Sequence, residues 1–508
     1  MRSISVTTAI TVLFCSKFLF STVLVCRASS QPKGTVFRPS CPPKLGTHAP
    51  VDVNLLWSKT VPAGMSEDAA GQLTPLFDYK FLLPQESLRA GLSYTGAARR
   101  LRKFVQDFLH GEKQMKIGVV GGSISVGMHA SKVGVTDWFS TVVGWLSSSA
   151  KSAEKVKGRN GCRPATPSGY MVFCLENSVD PDVDLVFVEY SLNDGYEDKI
   201  TENSIIEAKE QLIRRLLKLP GKPAVVLLQV GHVWGCYIHP FFYTPEDIEG
   251  ALAAYYDVSS VSQRTSIYLL NVHKPTEGFL FDQVYDDHHP LDVGHKIMAD
   301  LVVHLIQEVA IGLLISPVTP AEVSVRDVPL PPPMHKGNLE PMGTTCLVEE
   351  KFADIAIATE GWRWVNEGTD IKPKWGFVST VPGSELIVRL GDTARDDVIS
   401  GGSNGTFPVL LQYLLSYSSS MGKAVIDCLG GGCQCKQAMA DGYIPDKVSV
   451  TSMIQLDVQW SAHDTPCDLR VTVLNETSTE GHKFKVAGVV LAVTNSLKSA
   501  FSMKNWEV

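Results

Sequence analysis

The sequence lacks the features of a nucleic-acid or nucleotide-binding protein. Its 46 Lys and Arg residues are outnumbered by 53 Asp and Glu residues, and the net charge of −7 argues against a phosphate-neutralising surface. The dinucleotide fingerprint G-x-G-x-x-G and the P-loop sequence Gly-Lys-Ser/Thr are absent, and so are CxxC pairs and internal repeats. No nucleic-acid partner, bound nucleotide or repeat architecture is therefore expected.

Long hydrophobic runs are scarce as well. The mostly apolar stretch 9–26 is interrupted by Lys17, and neither half reaches the roughly 20 residues that a membrane span needs. With Arg2 before it and the small residue Ala28 after it, this stretch predicts a cleaved signal peptide over residues 1–28. An uncleaved signal anchor facing the Golgi lumen is the alternative. The mature chain is expected to be secreted or lumenal, without a membrane span.

The cysteines agree with a secretory route. Of the 11 cysteines, two lie in the predicted signal peptide and five crowd the last third of the chain. The sequence CQC at 433–435 lacks the further Cys or His partners of a zinc site, so disulfides are predicted, with at least one thiol unpaired. The N-x-T sequons at Asn404 and Asn475 predict glycosylation.

Helical and strand-like patterns alternate over residues 85–315. Apolar runs at 117–120, 182–190, 223–230 and 265–272 predict buried strands, and the amphipathic segments between them predict helices. Continuous apolar strands alternating with helices indicate an α/β fold whose parallel sheet is covered on both faces.

The rest of the chain has a different texture. Residues 29–84 are Pro-rich and are predicted to be irregular, and residues 316–341 predict an extended Pro-rich linker. Residues 342–508 contain short apolar stretches separated by Gly, Asp, Asn and Ser, which predict a β-sandwich-like domain.

Three polar motifs follow predicted strands of the α/β domain, where ligand sites form in open sheets. Ser123 follows two glycines at the end of the first strand, and Asn193 lies just after the second. Asp286 and His289 precede the final predicted helix. Alone, each of these residues is more often structural, as a turn or cap residue. Their order within one domain predicts a common site.

The chemistry of these residues suits nucleophilic catalysis. A serine hydroxyl needs a base to attack, and His289 can be the base of Ser123. Asp286, three residues earlier, can orient the imidazole, and the side chain of Asn193 can donate to an oxyanion.

A metal site is the main alternative, with ligands from Asp282, Asp286, His288, His289 and His295. The triad accounts for Asp286 and His289 without a metal, so no metal is predicted. His288 is then a neighbour without a catalytic role, and His295 packs or caps the last helix.

The motifs GGS at 121–123, LND at 192–194 and DDHHP…GH at 286–295 resemble the blocks of the SGNH hydrolases, the GDSL-type esterases and lipases. The resemblance covers roughly residues 113–312, and its most specific part is D-x-x-H-P. Gly122 stands where the name-giving motif has Asp. The resemblance implies a three-layer α/β/α fold and an acyl-enzyme mechanism that requires no metal or organic cofactor.

The same resemblance implies a second oxyanion donor, the backbone N–H of a glycine between the serine and asparagine blocks. Gly161 is the best match in this sequence, and Cys162 and Gly169 are the alternatives. With the N–H of Ser123 and the side chain of Asn193, this donor would complete the oxyanion hole.

An acyl ester, possibly on a carbohydrate, is the expected substrate, because the predicted protein is secretory and has an appended β-sandwich, a fold that often binds sugars. Aromatic side chains able to stack on sugars are Trp362, Trp364, Trp375 and Tyr417, although each is more often a packing residue. A polysaccharide O-acyltransferase of the Golgi lumen and a catalytically inactive glycan-binding protein are the alternatives.

Overall fold

The structure is a computed structural model, and it describes residues 73–491 with gaps. The gaps are residues 196–198, 200, 232–240, 242–243, 274–278, 287–288, 342, 370–372, 391–405, 431, 446–448 and 461–465. The predicted signal peptide, residues 29–72 of the predicted irregular segment, His288 and the sequon at Asn404 lie outside the described residues. Asn475 of the second sequon is exposed.

The α/β part of the chain is built on a six-stranded sheet with the order β1-β6-β5-β4-β2-β3. Its strands are β1 (Leu92–Tyr94), β2 (Met115–Gly121), β3 (Val156–Asn160), β4 (Leu185–Glu189), β5 (Ala224–Gln229) and β6 (Ser259–Ser262). Strands β2 to β6 pair in parallel, and β1 pairs with β6 in the antiparallel sense. The predicted parallel sheet is therefore a mixed sheet with one short antiparallel edge strand.

Helices cover both faces of this sheet. They are α1 (Gln85–Ala90), α2 (Arg99–His110), α3 (Ser123–Val126), α4 (Trp138–Ser149), α5 (Ser168–Ser178), α6 (Ser204–Leu217), α7 (Glu246–Tyr256), α8 (Gln263–His273) and α9 (Asp292–Ile315). Helices α2, α4 and α9 pack on one face, in a core with Ile117 and Val119 of β2. Helices α5, α6 and α7 pack on the other face with Val120. This arrangement is a three-layer α/β/α sandwich.

The prediction of a strand at residues 265–272 is wrong, because this segment lies within helix α8 and the strand is β6 just before it. The side chains of Ile267 and Leu270 are buried, whereas Leu269 and Val272 are exposed. Buried positions three residues apart follow a helical period, which a short apolar run cannot reveal by itself.

The β-rich part contains two antiparallel sheets, one of seven strands and one of five. Its strands are β9 (Thr345–Val348), β10 (Ala356–Glu360), β11 (Arg363–Asn366), β12 (Trp375–Ser379), β13 (Glu385–Leu390), β14 (Thr406–Ser416), β15 (Lys423–Leu429), β16 (Cys433–Cys435), β17 (Ala438–Asp441), β18 (Ser449–Trp460), β19 (Cys467–Val473) and β20 (Phe484–Leu491). Side chains of both sheets form one core. Burial alternates strictly along β19, as expected where one face of a sheet packs on a core.

The segment predicted as an extended linker is fixed to the α/β part. It contains the short helix α10 (Pro320–Ser324), which begins with a capping box at Thr319. Farther along, Glu340 accepts a hydrogen bond from Arg214 of α6 at 2.5 Å, and both side chains are buried. The side chain of Asn338 also donates to Glu210 of α6. Side-chain hydrogen bonds and ion pairs therefore hold this segment against α6.

Helix α9 is long and apolar enough to cross a membrane by length and composition alone. However, 72% of its most apolar 18-residue window is buried inside the molecule, because it forms one wall of the α/β core.

Three disulfides are present among the described residues, as the sequence predicts. Two lie within the β-rich part, Cys428–Cys435 and Cys433–Cys467, and Cys174–Cys346 joins helix α5 to strand β9. Cys162 is a buried free thiol. The Cys174–Cys346 bond therefore ties the β-rich part to the α/β part.

We expect the Cys174–Cys346 disulfide to contribute more to stability than Cys428–Cys435. The first closes a loop of 172 residues and the second a loop of 7. The chain-entropy relation gives about 5 kcal/mol for the long loop and about 2 kcal/mol for the short one. Thermal denaturation of Cys174→Ser/Cys346→Ser and of Cys428→Ser/Cys435→Ser should show the larger fall in Tm for the first pair. Equal falls would contradict this expectation.

Candidate active site

Two neighbouring strand ends carry the predicted serine and asparagine. Strand β2 ends at Gly121, which lies opposite Glu189, the last residue of β4. Ser123 begins helix α3 immediately after β2, and Asn193 lies in the turn that follows β4. Both turns follow the carboxyl ends of neighbouring parallel strands, so Ser123 and Asn193 lie close together although 70 residues separate them in the sequence.

Ser123 and His289 are in direct contact. Ser123 Oγ lies 2.8 Å from His289 Nε2, within hydrogen-bond distance, and both side chains are partly buried. The N–H of Ser123 belongs to the first turn of α3, where backbone N–H groups have no acceptor within the helix. A hydroxyl bonded to an imidazole beside such an N–H is the arrangement that a nucleophilic serine needs.

Asp286 and His289 face each other in a two-stranded ladder. Strand β7 (Tyr285–Asp286) pairs with β8 (His289–Pro290), and Asp286 is the register partner of His289. The Asp286 side chain is 67% exposed, and its Oδ2 lies 3.5 Å from Nδ1 of His129. The Asp286 carboxylate therefore contacts the imidazole of His129, while its backbone pairs with that of His289.

His129 is a site residue that the motifs did not identify. Its ring centroid lies 4.9 Å from that of His289, with the two planes tilted by 43°. Its φ of 62° is in the left-handed region, which is uncommon for a residue other than glycine and occurs often at functional sites. The only sequence signal near His129 is Gly127, two residues earlier, which is compatible with a turn.

The carboxamide of Asn193 lies against Gly122. A Cβ on Gly122 would come within 1.9 Å of Asn193 Oδ1 and 2.8 Å of its Nδ2. Asn193 Oδ1 is buried and has no hydrogen-bond partner among the described residues. Glycine at position 122, where the GDSL motif has Asp, is thus the residue that leaves room for the asparagine.

The backbone around the predicted second oxyanion donor is largely occupied. Gly161 N–H donates to Val119 O at 2.9 Å, and Arg163 N–H donates to Gly121 O at the same distance. Cys162 N–H donates to the side chain of Asn160. The Gly161 N–H is therefore bonded to strand β2, and the Cys162 N–H is bonded to the side chain of Asn160. Gly169 is buried in the first turn of α5.

A buried ionic cluster supports the turn that carries Asn193. Asp194 accepts a hydrogen bond from the N–H of Ser168 at 2.6 Å and pairs with Lys209 at 3.0 Å. Lys209 also pairs with Glu249 at 3.1 Å. Burial alone would lower the pKa of Lys209, but its two carboxylate partners raise it, so it stays charged. This cluster ties the Asn193 turn to helices α5, α6 and α7.

The residues considered as metal ligands do not form a cluster in the described part of the chain. No group of three His, Cys, Asp or Glu side chains in this part is arranged to hold a metal ion. His295 is fully buried, contacts the N–H of Trp138 and the carbonyl of Met128, and has a pKa lowered by burial. These contacts give His295 a packing role at the start of α9.

No family model matches the chain, and no curated protein matches its sequence. Solved structures match its fold. A two-domain esterase active on acetylated mannans matches with a TM-score of 0.56 and 18% identity, over 80% of this chain and 98% of that one. The crystal structure of such an esterase co-crystallised with mannopentaose gives 0.55 and 18%, over 80% and 97%. At this identity the likeness shows a shared fold, extending over both the α/β part and the β-rich part.

We expect Gly122→Ala to displace Asn193 and to disturb the turn at Ser123. A shift of about 1 Å in such a site lowers reactivity about 100-fold. The rate at which a fluorophosphonate probe labels Ser123 measures this effect. Gly144→Ala is the control, because Gly144 lies in α4 with nothing within 4 Å of the added Cβ. Labelling of Gly122→Ala at the wild-type rate would contradict the expectation.

Proposed function

We propose that this protein is a serine esterase of the SGNH hydrolase type, acting on acyl esters of carbohydrate, acetyl esters included. The observation that carries the proposal is the 2.8 Å contact between Ser123 Oγ and His289 Nε2. The position of Asp286 opposite His289 and of Asn193 beside the serine turn supports it. The fold shared with esterases active on acetylated mannans is consistent with the same proposal.

In the proposed mechanism, His289 takes the proton of Ser123 as the serine oxygen attacks the ester carbonyl. The N–H of Ser123 and the side-chain amide of Asn193 stabilise the oxyanion, while the Asp286 carboxylate stabilises the imidazolium. His289 then gives its proton to the departing alcohol, leaving an acyl-enzyme. Water that His289 deprotonates then attacks the acyl carbon, and His289 returns this proton to Ser123 Oγ as the acyl–oxygen bond breaks and the acid leaves. Gly161 was the expected third donor, but its N–H is bonded to Val119 in this conformation.

Substitution of the nucleophile tests the proposal. We expect Ser123→Ala to lower hydrolysis of 4-nitrophenyl acetate at least about 1,000-fold, because no other group would form the acyl-enzyme. Ser148→Ala is the matched control, since the Ser148 hydroxyl donates only to Trp145 O of its own helix. Unchanged turnover in Ser123→Ala would refute the assignment of the nucleophile.

A cleft lined by residues of both the α/β part and the β-rich part is a candidate carbohydrate-binding surface. It has a volume of about 470 Å³ and is lined by polar side chains, including Arg163 and Glu349, and by Trp375. The backbone of Arg163 is bonded to Gly121, two residues before Ser123. The cleft therefore lies between the α/β part and the β-rich part, and Ser123 and His289 are not among the residues that line it.

Of the aromatic residues considered for sugar stacking, Trp375 has the best placement. It is 39% exposed in the cleft, and its inner face stacks on Trp364 at 5.7 Å and 11°. Trp362 is only 5% exposed and is a core residue, so it is unsuited to sugar binding. Tyr417 is exposed but does not line the cleft. A ring supported from behind and open in front can stack on the apolar face of a sugar.

We expect Trp375→Ala to raise KM for an acetylated oligosaccharide about 3- to 10-fold, as loss of one aromatic contact implies. The kinetics with 4-nitrophenyl acetate should stay unchanged, because this substrate has no sugar ring for the tryptophan to stack on. Tyr417→Ala serves as the control for an exposed aromatic residue outside the cleft. Equal losses on both substrates would show a structural effect of Trp375 instead of sugar binding.

Two other functions use the same geometry. A polysaccharide O-acyltransferase would pass the acyl group from Ser123 to a sugar hydroxyl, and a binding protein would turn over no ester. Fast release of acetate without any acceptor favours hydrolysis over transfer. Glycan binding without turnover of any ester would favour the third function. A secreted or lumenal location is part of the proposal, in keeping with the three disulfides and the exposed Asn475.

A further inference from the structure

Glu189 lies buried beneath the serine turn and has no part in the mechanism above. It ends strand β4, is 0% exposed, and its Oε2 accepts a hydrogen bond from the hydroxyl of Ser125 at 2.9 Å. Ser125 is also fully buried and lies two residues after Ser123 in helix α3. Glu189 is thus linked to the nucleophile through one hydroxyl group.

Ser125 also connects helix α4 and strand β3 to the same turn. Its hydroxyl accepts a hydrogen bond from Trp138 Nε1 at 3.1 Å, and its carbonyl accepts one from the Asn160 side chain at 2.6 Å. A Cβ on Gly121 would lie 3.2 Å from Glu189 Oε2 and 2.7 Å from Glu189 O. The carboxyl therefore fills the space behind the glycines and sets the position of α3.

The surroundings of Glu189 suit an uncharged acid. Among the described residues, no cation pairs with Glu189, and its Oε1 is buried without a hydrogen-bond partner. The nearby Lys209 is paired with Asp194 and Glu249 instead. A buried carboxylate without a cation or enough donors is costly, and protonation removes most of that cost. Burial accordingly raises the pKa of Glu189 to about 8.

We propose that Glu189 is a positioning residue that, as a neutral carboxylic acid, holds Ser125 and thereby fixes the turn carrying Ser123. The proposal rests on the esterase function proposed above. The other titratable groups that interact with this carboxyl are Cys162, Tyr190, Asp194 and Lys209.

The protonation state of Glu189 determines whether the stability of the protein rises or falls with pH. A folded-state pKa above the ordinary value means that the folded protein binds more protons than the unfolded chain between about pH 4.5 and 8. The free energy of unfolding that the neutral Glu189 contributes is therefore lost as pH rises from about 4.5 to about 8. Glu189→Gln keeps a neutral acceptor for Ser125 and removes this loss.

Glu210 on α6 is the matched control. It is equally buried, but it accepts hydrogen bonds from Asn338, Tyr256 and the Met334 N–H. Although burial alone would raise the pKa of Glu210, hydrogen bonds from Asn338, Tyr256 and His335 lower it, which marks a buried carboxylate. The stability that Glu210 contributes is present above the ordinary pKa and is lost as pH falls, so Glu210→Gln should destabilise the protein most at neutral pH.

The first arm of the experiment is thermal denaturation of the full chain from pH 5 to pH 9. We expect the Tm of Glu189→Gln minus that of wild type to rise with pH and to level off above about pH 8. The same difference for Glu210→Gln should be negative and nearly constant from pH 5 to 9, because the pKa of Glu210 lies below this range in the folded protein. A Glu189→Gln difference that is constant or falls with pH would overturn the proposal of a neutral acid.

The second arm measures hydrolysis of 4-nitrophenyl acetate at pH 7. Glu189→Gln should keep kcat within about 3-fold of wild type, whereas Ser125→Ala should lower kcat about 10-fold or more with little change in KM. Wild-type kcat in Ser125→Ala would overturn the positioning role. Absence of hydrolysis in the wild type would refute the esterase proposal alone, because the thermal arm and the fluorophosphonate labelling of Ser123 would still test Glu189.

Discussion

The parallel pairing of β2 with β4 is the constraint on which the candidate site depends. It places Gly121 opposite Glu189, so the two chains leave the sheet side by side, one toward Ser123 and the other toward Asn193. Because paired strands are only about 4.8 Å apart, side chains in the two turns that follow these strands can contact each other. No side chain fits at position 122, because the Asn193 carboxamide occupies the space that a Cβ would take.

The general architecture could be predicted from the sequence because local patterns encode it. Continuous apolar strands and amphipathic helices indicate a covered sheet wherever the pattern is long enough, and helix α9 and strand β5 are clear cases. The segment 265–272 is too short for its period to distinguish a helix from a strand. The antiparallel pairing of the three-residue strand β1 is a tertiary contact with no local signal.

The candidate site also has some features that the sequence predicts and others that it does not. Ser123 and His289 lie in recognisable motifs, and their predicted proximity agrees with the 2.8 Å contact between them. The use of the Gly161 N–H depends on the register between β2 and β3, and His129 reaches His289 only through a left-handed turn. Neither property follows from residue type or spacing. Motifs therefore indicate the candidate groups, whereas the contacts that orient these groups need the folded chain.

Two different kinds of polar contact hold the two turns of the site. The Asn193 turn is held by ion pairs, from Asp194 through Lys209 to Glu249, which satisfy their own charges. The Ser123 turn is held by hydrogen bonds from Ser125 to Glu189 and from Trp138 to Ser125. Buried polar groups cost stability unless every member finds a partner, but they favour one arrangement over others. In the proposed mechanism, an uncharged Glu189 beneath Ser123 would also avoid a fixed negative charge near the developing oxyanion, which is a physical reason for a neutral acid at this position.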